Sequence, residues 1–216
     1  MAWTAIDNLD SYSNGDLNGN NGGSNWTAAW SGSVNWDIQG SVVYQGAKAA
    51  ENINSAGGSI SRTFTAISAG SLYLAMRRTV ANPGSGFLVS LFSGSTEVCD
   101  VGGFLTGGTT RWRILDSNTV WKDISTESIV SGQWYIINIE FDDAGHNNQY
   151  RARVYNGTSW SAFTAWYGTT NAYTTVDKIQ ISCPTSETAC YFDIITDTDP
   201  LIVTVSSSKL LLLGVS

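Results

Sequence analysis

The chain has 216 residues, 42% apolar and 13% charged, with a formal net charge of −7. Twenty-two glycines and three prolines are too few for low-complexity disorder, and nine tryptophans with nine tyrosines require a packed interior or a binding face. Eleven basic against eighteen acidic residues leave no electrostatic footprint for nucleic acid, and apolar runs such as residues 210–213 fall far below the roughly 20 residues of a membrane span.

The first residues carry neither a basic n-region nor an apolar h-region, so no signal peptide is visible. The Thr-, Asn-, Gly- and Trp-rich composition nevertheless suits work outside cells. Either a leader has been removed, or the protein leaves by a route such as virion assembly and lysis.

In chain order, residues 13–33 come first, a Gly/Asn-rich stretch expected to loop across the edge of a sandwich, pinned by Trp26 and Trp30. Residues 46–53 are the best helical candidate, though short. From residue 71 onward the pattern is period two, broken by Gly, Asn, Asp and Ser every 8–12 residues, which predicts strands. These are expected over 71–80, 86–92, 110–115, 119–124, 133–141, 150–155, 178–182, 191–196 and 201–206. The connections have matching turn chemistry: Asn156-Gly157 supplies positive φ without strain, and residues 142–148 (DDAGHNN) join two strong strands. About a dozen strands with no composition shift between halves predict one all-β domain, a two-sheet antiparallel sandwich over residues 1–200. Residues 201–216 form an apolar tail, expected either as edge strands of the same sandwich or, over 209–215, as a strand that pairs with a neighbouring subunit.

Three cysteines do not make a disulfide scaffold. Cys183 and Cys190 flank a turn-rich segment that could bring them within bridging distance at a hairpin base; two reduced thiols there are the alternative. Cys99 reads as a small buried apolar residue.

The opening residues 6–19 (IDNLDSYSNGDLNG) resemble the start of concanavalin A-like lectin/glucanase domains, particularly the laminin-G-like jelly rolls of bacterial and phage proteins. Residues 43–49 (VYQGAKA), Gly132-Gln133-Trp134-Tyr135 and Tyr191-Phe192-Asp193-Ile194 are similar to later segments of the same family. The resemblance runs from Ile6 to Thr196. It implies a jelly roll with a convex back and a concave front, where glycans bind. It also implies a structural calcium ion between an acidic residue near the N-terminus and an aspartate of the last core strand, positions matched by Asp10 and Asp193, with Asp7 as a substitute.

Retaining glycoside hydrolysis needs two carboxyls about 5–5.5 Å apart, and the Glu-x-Asp-x-(x)-Glu of the glucanase branch is missing; Glu140-Phe141-Asp142-Asp143 comes nearest and runs into a turn. For alginate-lyase relatives, residues 149–156 (QYRARVYN) resemble one strand of the pattern, with Tyr155 and Arg153 available for β-elimination. No Gln-x-His is present, and the single histidine, His146, falls in a turn. A non-enzyme is expected.

Sugars are held by stacking on aromatic rings with polar groups alongside. The expected ligand-binding residues are Arg111, Trp112, Arg113, Trp121, Arg153, Tyr155 and Trp160, and the arginines would suit acidic glycans. The expected function is a non-catalytic structural or decoration component of a virion or extracellular assembly, homo-oligomeric, with a glycan-binding surface. The alternatives are a secreted carbohydrate-binding module and a divergent polysaccharide lyase or glycanase.

Overall fold

Alternation of inward apolar and outward polar residues organises the whole chain, because successive side chains on a strand point to opposite faces. The computed structural model describes residues 3–54, 57–79, 87–106, 109–142, 145–184 and 189–201. In chain order the strands are β1 (Gly15–Asp16), β2 (Ser31–Gly32), β3 (Trp36–Gln39), β4 (Ala49–Asn52), β5 (Gly58–Ile67), β6 (Gly70–Arg78), β7 (Phe87–Ser93), β8 (Thr96–Thr106), β9 (Thr109–Leu115), β10 (Trp121–Asp123), β11 (Trp134–Phe141), β12 (Gln149–Tyr155), β13 (Tyr167–Gly168), β14 (Val176–Cys183) and β15 (Cys190–Thr196).

They form two antiparallel sheets, as the period-two pattern predicts. One has eight strands in the order β1-β3-β4-β15-β6-β11-β12-β13, the other seven in the order β10-β9-β8-β7-β14-β5-β2. Between them lie Trp3, Trp30, Trp36, Phe87, Trp112 and Phe192, with the inward rows Leu72/Leu74/Met76 and Ile137/Ile139 facing Val89/Leu91 and Ile179/Ile181. A buried ion pair ties the N-terminal segment to this core. Asp7 meets Arg62 at 2.6 Å with both side chains wholly out of solvent, and also accepts from Tyr12 at 2.7 Å and Trp30 Nε1 at 3.0 Å.

Residues 13–33 cross the sandwich edge as expected: β1 closes an edge of the eight-stranded sheet and β2 an edge of the seven-stranded one. The helical candidate at 46–53 is corrected, since Ala49–Asn52 is strand β4, paired to β3 and β15. Its apolar positions answer to a sheet and to the loop that precedes it. The hairpin expected between Cys183 and Cys190 is also corrected. Their strands belong to different sheets, yet the two buried cysteines come close enough to hydrogen-bond to each other as thiols. Burial first, then neighbouring Cys183, pushes the Cys190 thiol up. Residues 202–216, with the expected strand at 201–206 and the pairing strand at 209–215, lie outside the described residues apart from Leu201.

Candidate functional site

The outer face of the eight-stranded sheet carries the chemistry. Its outward residues align across β15, β6, β11 and β12 in rows set by the register. One row is Tyr191–Arg77–Trp134, and another is Thr196–Tyr73–Asn138–Arg153. A further row is Ser71–Glu140–Arg151.

Arg153 holds the centre. Its Nε donates to Asn138 Oδ1 at 3.0 Å, and its Nη2 approaches the Tyr73 hydroxyl at 3.5 Å. Asn138 is fully buried, and its amide is fixed by donating to Ser71 Oγ at 2.9 Å and Leu72 O at 3.1 Å. The chain after β12 then folds back alongside it and lays an aromatic residue on the face every third position. Arg153 lies 4.4 Å over Trp160 and 4.5 Å over Phe163. Arg151 lies 4.2 Å over Phe163 and 4.6 Å over Trp166. His146 stacks on Trp166 with centroids 4.2 Å apart and 13° between planes. Rings and cations alternate along one column.

The two arginines differ in their partners. Arg151 is neutralised by Glu140 at 2.6 Å; Arg153 meets no carboxylate among the described residues. Tyr73 and Tyr155 complete the surround of Trp160, at ring distances of 6.0 Å and 5.5 Å. Arg77, in the neighbouring row, lies 5.0 Å over Tyr191 and donates to Gly132 O at 2.7 Å. Burial and a hydrogen bond to Glu51 push the Tyr191 hydroxyl up to about 12.

A strap of residues 40–48, joining β3 to β4, crosses this face. Tyr44 and Gln45 donate their backbone N–H groups to Asp193 Oδ2 at 2.9 and 3.1 Å. Ala47 and Lys48 donate theirs to Asp10 Oδ1 at 2.7 and 3.0 Å. Gly46, at φ +72°, is required where the strap meets Asp10, since a Cβ there would stand 2.2 Å from Asp10 Oδ2. The Tyr44 ring reaches Trp134 at 5.8 Å, and the outward-facing Ala75 and Ile136 are shut from solvent.

These bonds answer the calcium expectation. Asp10 and Asp193 do converge, but on backbone donors: Asp193 Oδ1 accepts from Ile194 N at 2.8 Å as well. Both carboxylates are thus engaged by the strap and β15 backbone, and two carboxylates alone fall short of the roughly six to eight oxygen ligands calcium takes. Among the described residues no three of His, Cys, Asp and Glu gather as a metal-ligand set. Asp7, the substitute, is spent on Arg62.

The structure divides the residues expected to bind ligand. Arg153, Tyr155 and Trp160 come together on the face just described. Arg111, Arg113 and Trp121 lie on the outer face of the opposite sheet, where Asp123 takes both guanidiniums at 2.6 Å and Trp121 packs on Phe104 at 4.1 Å. Trp112 is a correction: it points inward, 2% exposed, with its ring 5.6 Å from Tyr135. Alternation along β9 sends it to the core precisely because its arginine neighbours face out. Tyr73, Asn138, Arg77, Trp134, Tyr44 and Tyr191 were missed, since only the sheet register brings them beside Arg153. One signal was available: the three-residue spacing of Trp160, Phe163 and Trp166 directly after an Arg-x-Arg strand.

No family model and no curated protein matches the sequence. Solved structures share the fold. A mutant of alginate lyase Aly36B in complex with alginate trisaccharide is 12% identical with a TM-score of 0.61, over 91% of this chain and 99% of its own. An endo-β-1,4-glucuronan lyase from the fungus Trichoderma reesei is 11% identical with a TM-score of 0.50, over 88% and 96%. Domain 4 of AbnA, an extracellular arabinanase from Geobacillus stearothermophilus, in complex with arabinotriose, is 14% identical with a TM-score of 0.55, over 90% and 92%. The sandwich is therefore of the type found in carbohydrate-active proteins. The expectation of a non-enzyme is corrected by the first two: polysaccharide lyases are built on this fold over nearly its whole length. That expectation rested on a missing glucanase carboxylate triplet, which elimination chemistry does not require, and on an incomplete lyase pattern without Gln-x-His, a sequence signature that a shared fold at 11–12% identity need not keep.

Proposed function

We propose that the protein is an extracellular polysaccharide lyase that cleaves a uronate-containing glycan by β-elimination on the outer face of the eight-stranded sheet. The observation that carries this reading is Arg153, half-buried, clear of any carboxylate among the described residues, held by Asn138 and set beside the Tyr73 hydroxyl.

Arg153 pairs with the uronate carboxylate, so that charge developing there on loss of the α proton is stabilised. Tyr73, acting as the phenolate beside the Arg153 guanidinium, takes the proton from C5. The C4–O glycosidic bond breaks, its electron pair leaves with the oxygen, the Tyr73 phenol so formed returns the proton to that oxygen, and a C4–C5 double bond forms. Trp160 offers a ring against which the sugar stacks, with Tyr155 as a second phenol next to it. The glycan-bearing neighbours of this fold, one with alginate and one with arabinotriose, support a carbohydrate ligand.

The test is turnover of uronate polymers followed by the ultraviolet absorbance of the unsaturated product. Arg153→Ala and Tyr73→Phe should each lower it by about 10²–10⁴-fold with the fold intact. Binding without turnover in the unmodified protein would favour a carbohydrate-binding module, and full activity in both variants would remove the site.

A further inference from the structure

A cavity of about 320 Å³ opens between the strap and the segment after β15, lined by Asn8, Asp10, Gln45, Thr196, Thr198 and Asp199. Its position follows from the register. Thr196 is the β15 member of the row that runs through Tyr73 and Asn138 to Arg153. Three strand steps at about 4.8 Å each put Thr196 about 14 Å from Arg153 along that row. The cavity is thus the far end of the face that holds the catalytic centre proposed above.

Its chemistry is unlike that centre. The charged side chains lining it, Asp10 and Asp199, are both acidic, and no Lys or Arg lines it among the described residues. The nearby Lys48 turns its ammonium to Asn14 Oδ1 instead. The remaining polar groups are hydroxyls and amides, the partners of sugar hydroxyls, and Ile6 and Pro200 supply an apolar wall for a C–H face. The acidic field reaches the strap: after burial and Tyr155, Asp199 helps to raise the Tyr44 hydroxyl. A carboxylate entering here meets two like charges and no counter-ion, which is selection by repulsion.

We propose that this cavity is a subsite for a neutral sugar, contiguous with the Arg153–Tyr73 centre, so that the substrate is a heteropolysaccharide carrying neutral units next to uronates. The proposal rests on the lyase reading and names the substrate class of that site.

The experiment compares kcat/KM on a homopolymeric uronate with that on a polymer alternating uronate and neutral sugar. The unmodified protein should prefer the mixed chain by at least about tenfold. Asp199→Lys should raise cleavage of the homopolymer and narrow the preference, whereas Thr198→Trp, on an exposed side chain, should lower cleavage of the mixed chain alone. Equal cleavage of both polymers, unchanged by Asp199→Lys, would overturn the subsite and leave the lyase standing. Failure to cleave either polymer would overturn both.

Discussion

Asn138 accepts a hydrogen bond from Arg153 Nε at 3.0 Å while its own amide is committed to Ser71 and Leu72. The guanidinium is therefore aimed by a residue that cannot itself reach solvent. Asn138→Leu should lower kcat by about 10–100-fold through misplacement of Arg153, and should leave Ser71 Oγ and Leu72 O without their buried donor, at a cost of about 1–3 kcal/mol. Steady-state kinetics beside denaturant unfolding separate the two effects.

The Asp7–Arg62 pair sits wholly out of water, with Arg62 also donating to Ala28 O at 2.8 Å and Gly22 O at 2.8 Å. Breaking it from one side strands a buried charge. Asp7→Ala is expected to cost about 3–5 kcal/mol, read as a fall in the denaturation midpoint at unchanged m-value.

Burial pushes Asp193 up to about 7, outweighing three backbone donors that pull it down, with Asp10 adding to the rise. Asp100 is likewise raised to about 7 by burial. The folded chain therefore holds protons that the unfolded chain releases above about pH 4. These groups contribute stability that is complete below pH 4 and lost as pH climbs through 7. Tm should fall between pH 5 and pH 7.5. Asp193→Asn, which keeps an acceptor for the strap without the charge, should flatten that fall; a Tm that rises over the same interval would contradict the sign.

On the opposite sheet, Arg111 and Arg113 share Asp123 at partly exposed positions. Arg113→Ala should cost about 1 kcal/mol or less and leave turnover and glycan retention unchanged, in contrast to Arg153→Ala. Affinity electrophoresis on an anionic polysaccharide would show the difference.

The all-β architecture was legible because alternation survives in strands such as β9, β12 and β14. Strand β8 was not, since Gly102 and Gly103 look like a break; yet a Cβ on Gly103 would stand 2.7 Å from Ile129 Cδ1, so the glycine lets the segment between β10 and β11 pack closely against the strand. Strand β5 was hidden by Arg62, an inward charge that reads as polar surface until Asp7 is brought to it by the fold. The site divides in the same way. Arg153, Tyr155 and Trp160 are near in sequence and could be read together, whereas Tyr73, Asn138 and the strap come from separate segments joined only by register. Asp10 and Asp193 were read from a resemblance as a calcium pair, and residue type could not reveal that backbone N–H groups of the strap would occupy them.

The most direct test is nuclear magnetic resonance of the products released from a uronate-containing polysaccharide. The lyase reading predicts an olefinic proton at a new unsaturated chain end, present with the unmodified protein and absent with a folded Tyr73→Phe variant. Saturated ends of the kind hydrolysis leaves, or an olefinic signal that persists without the Tyr73 hydroxyl, would contradict it.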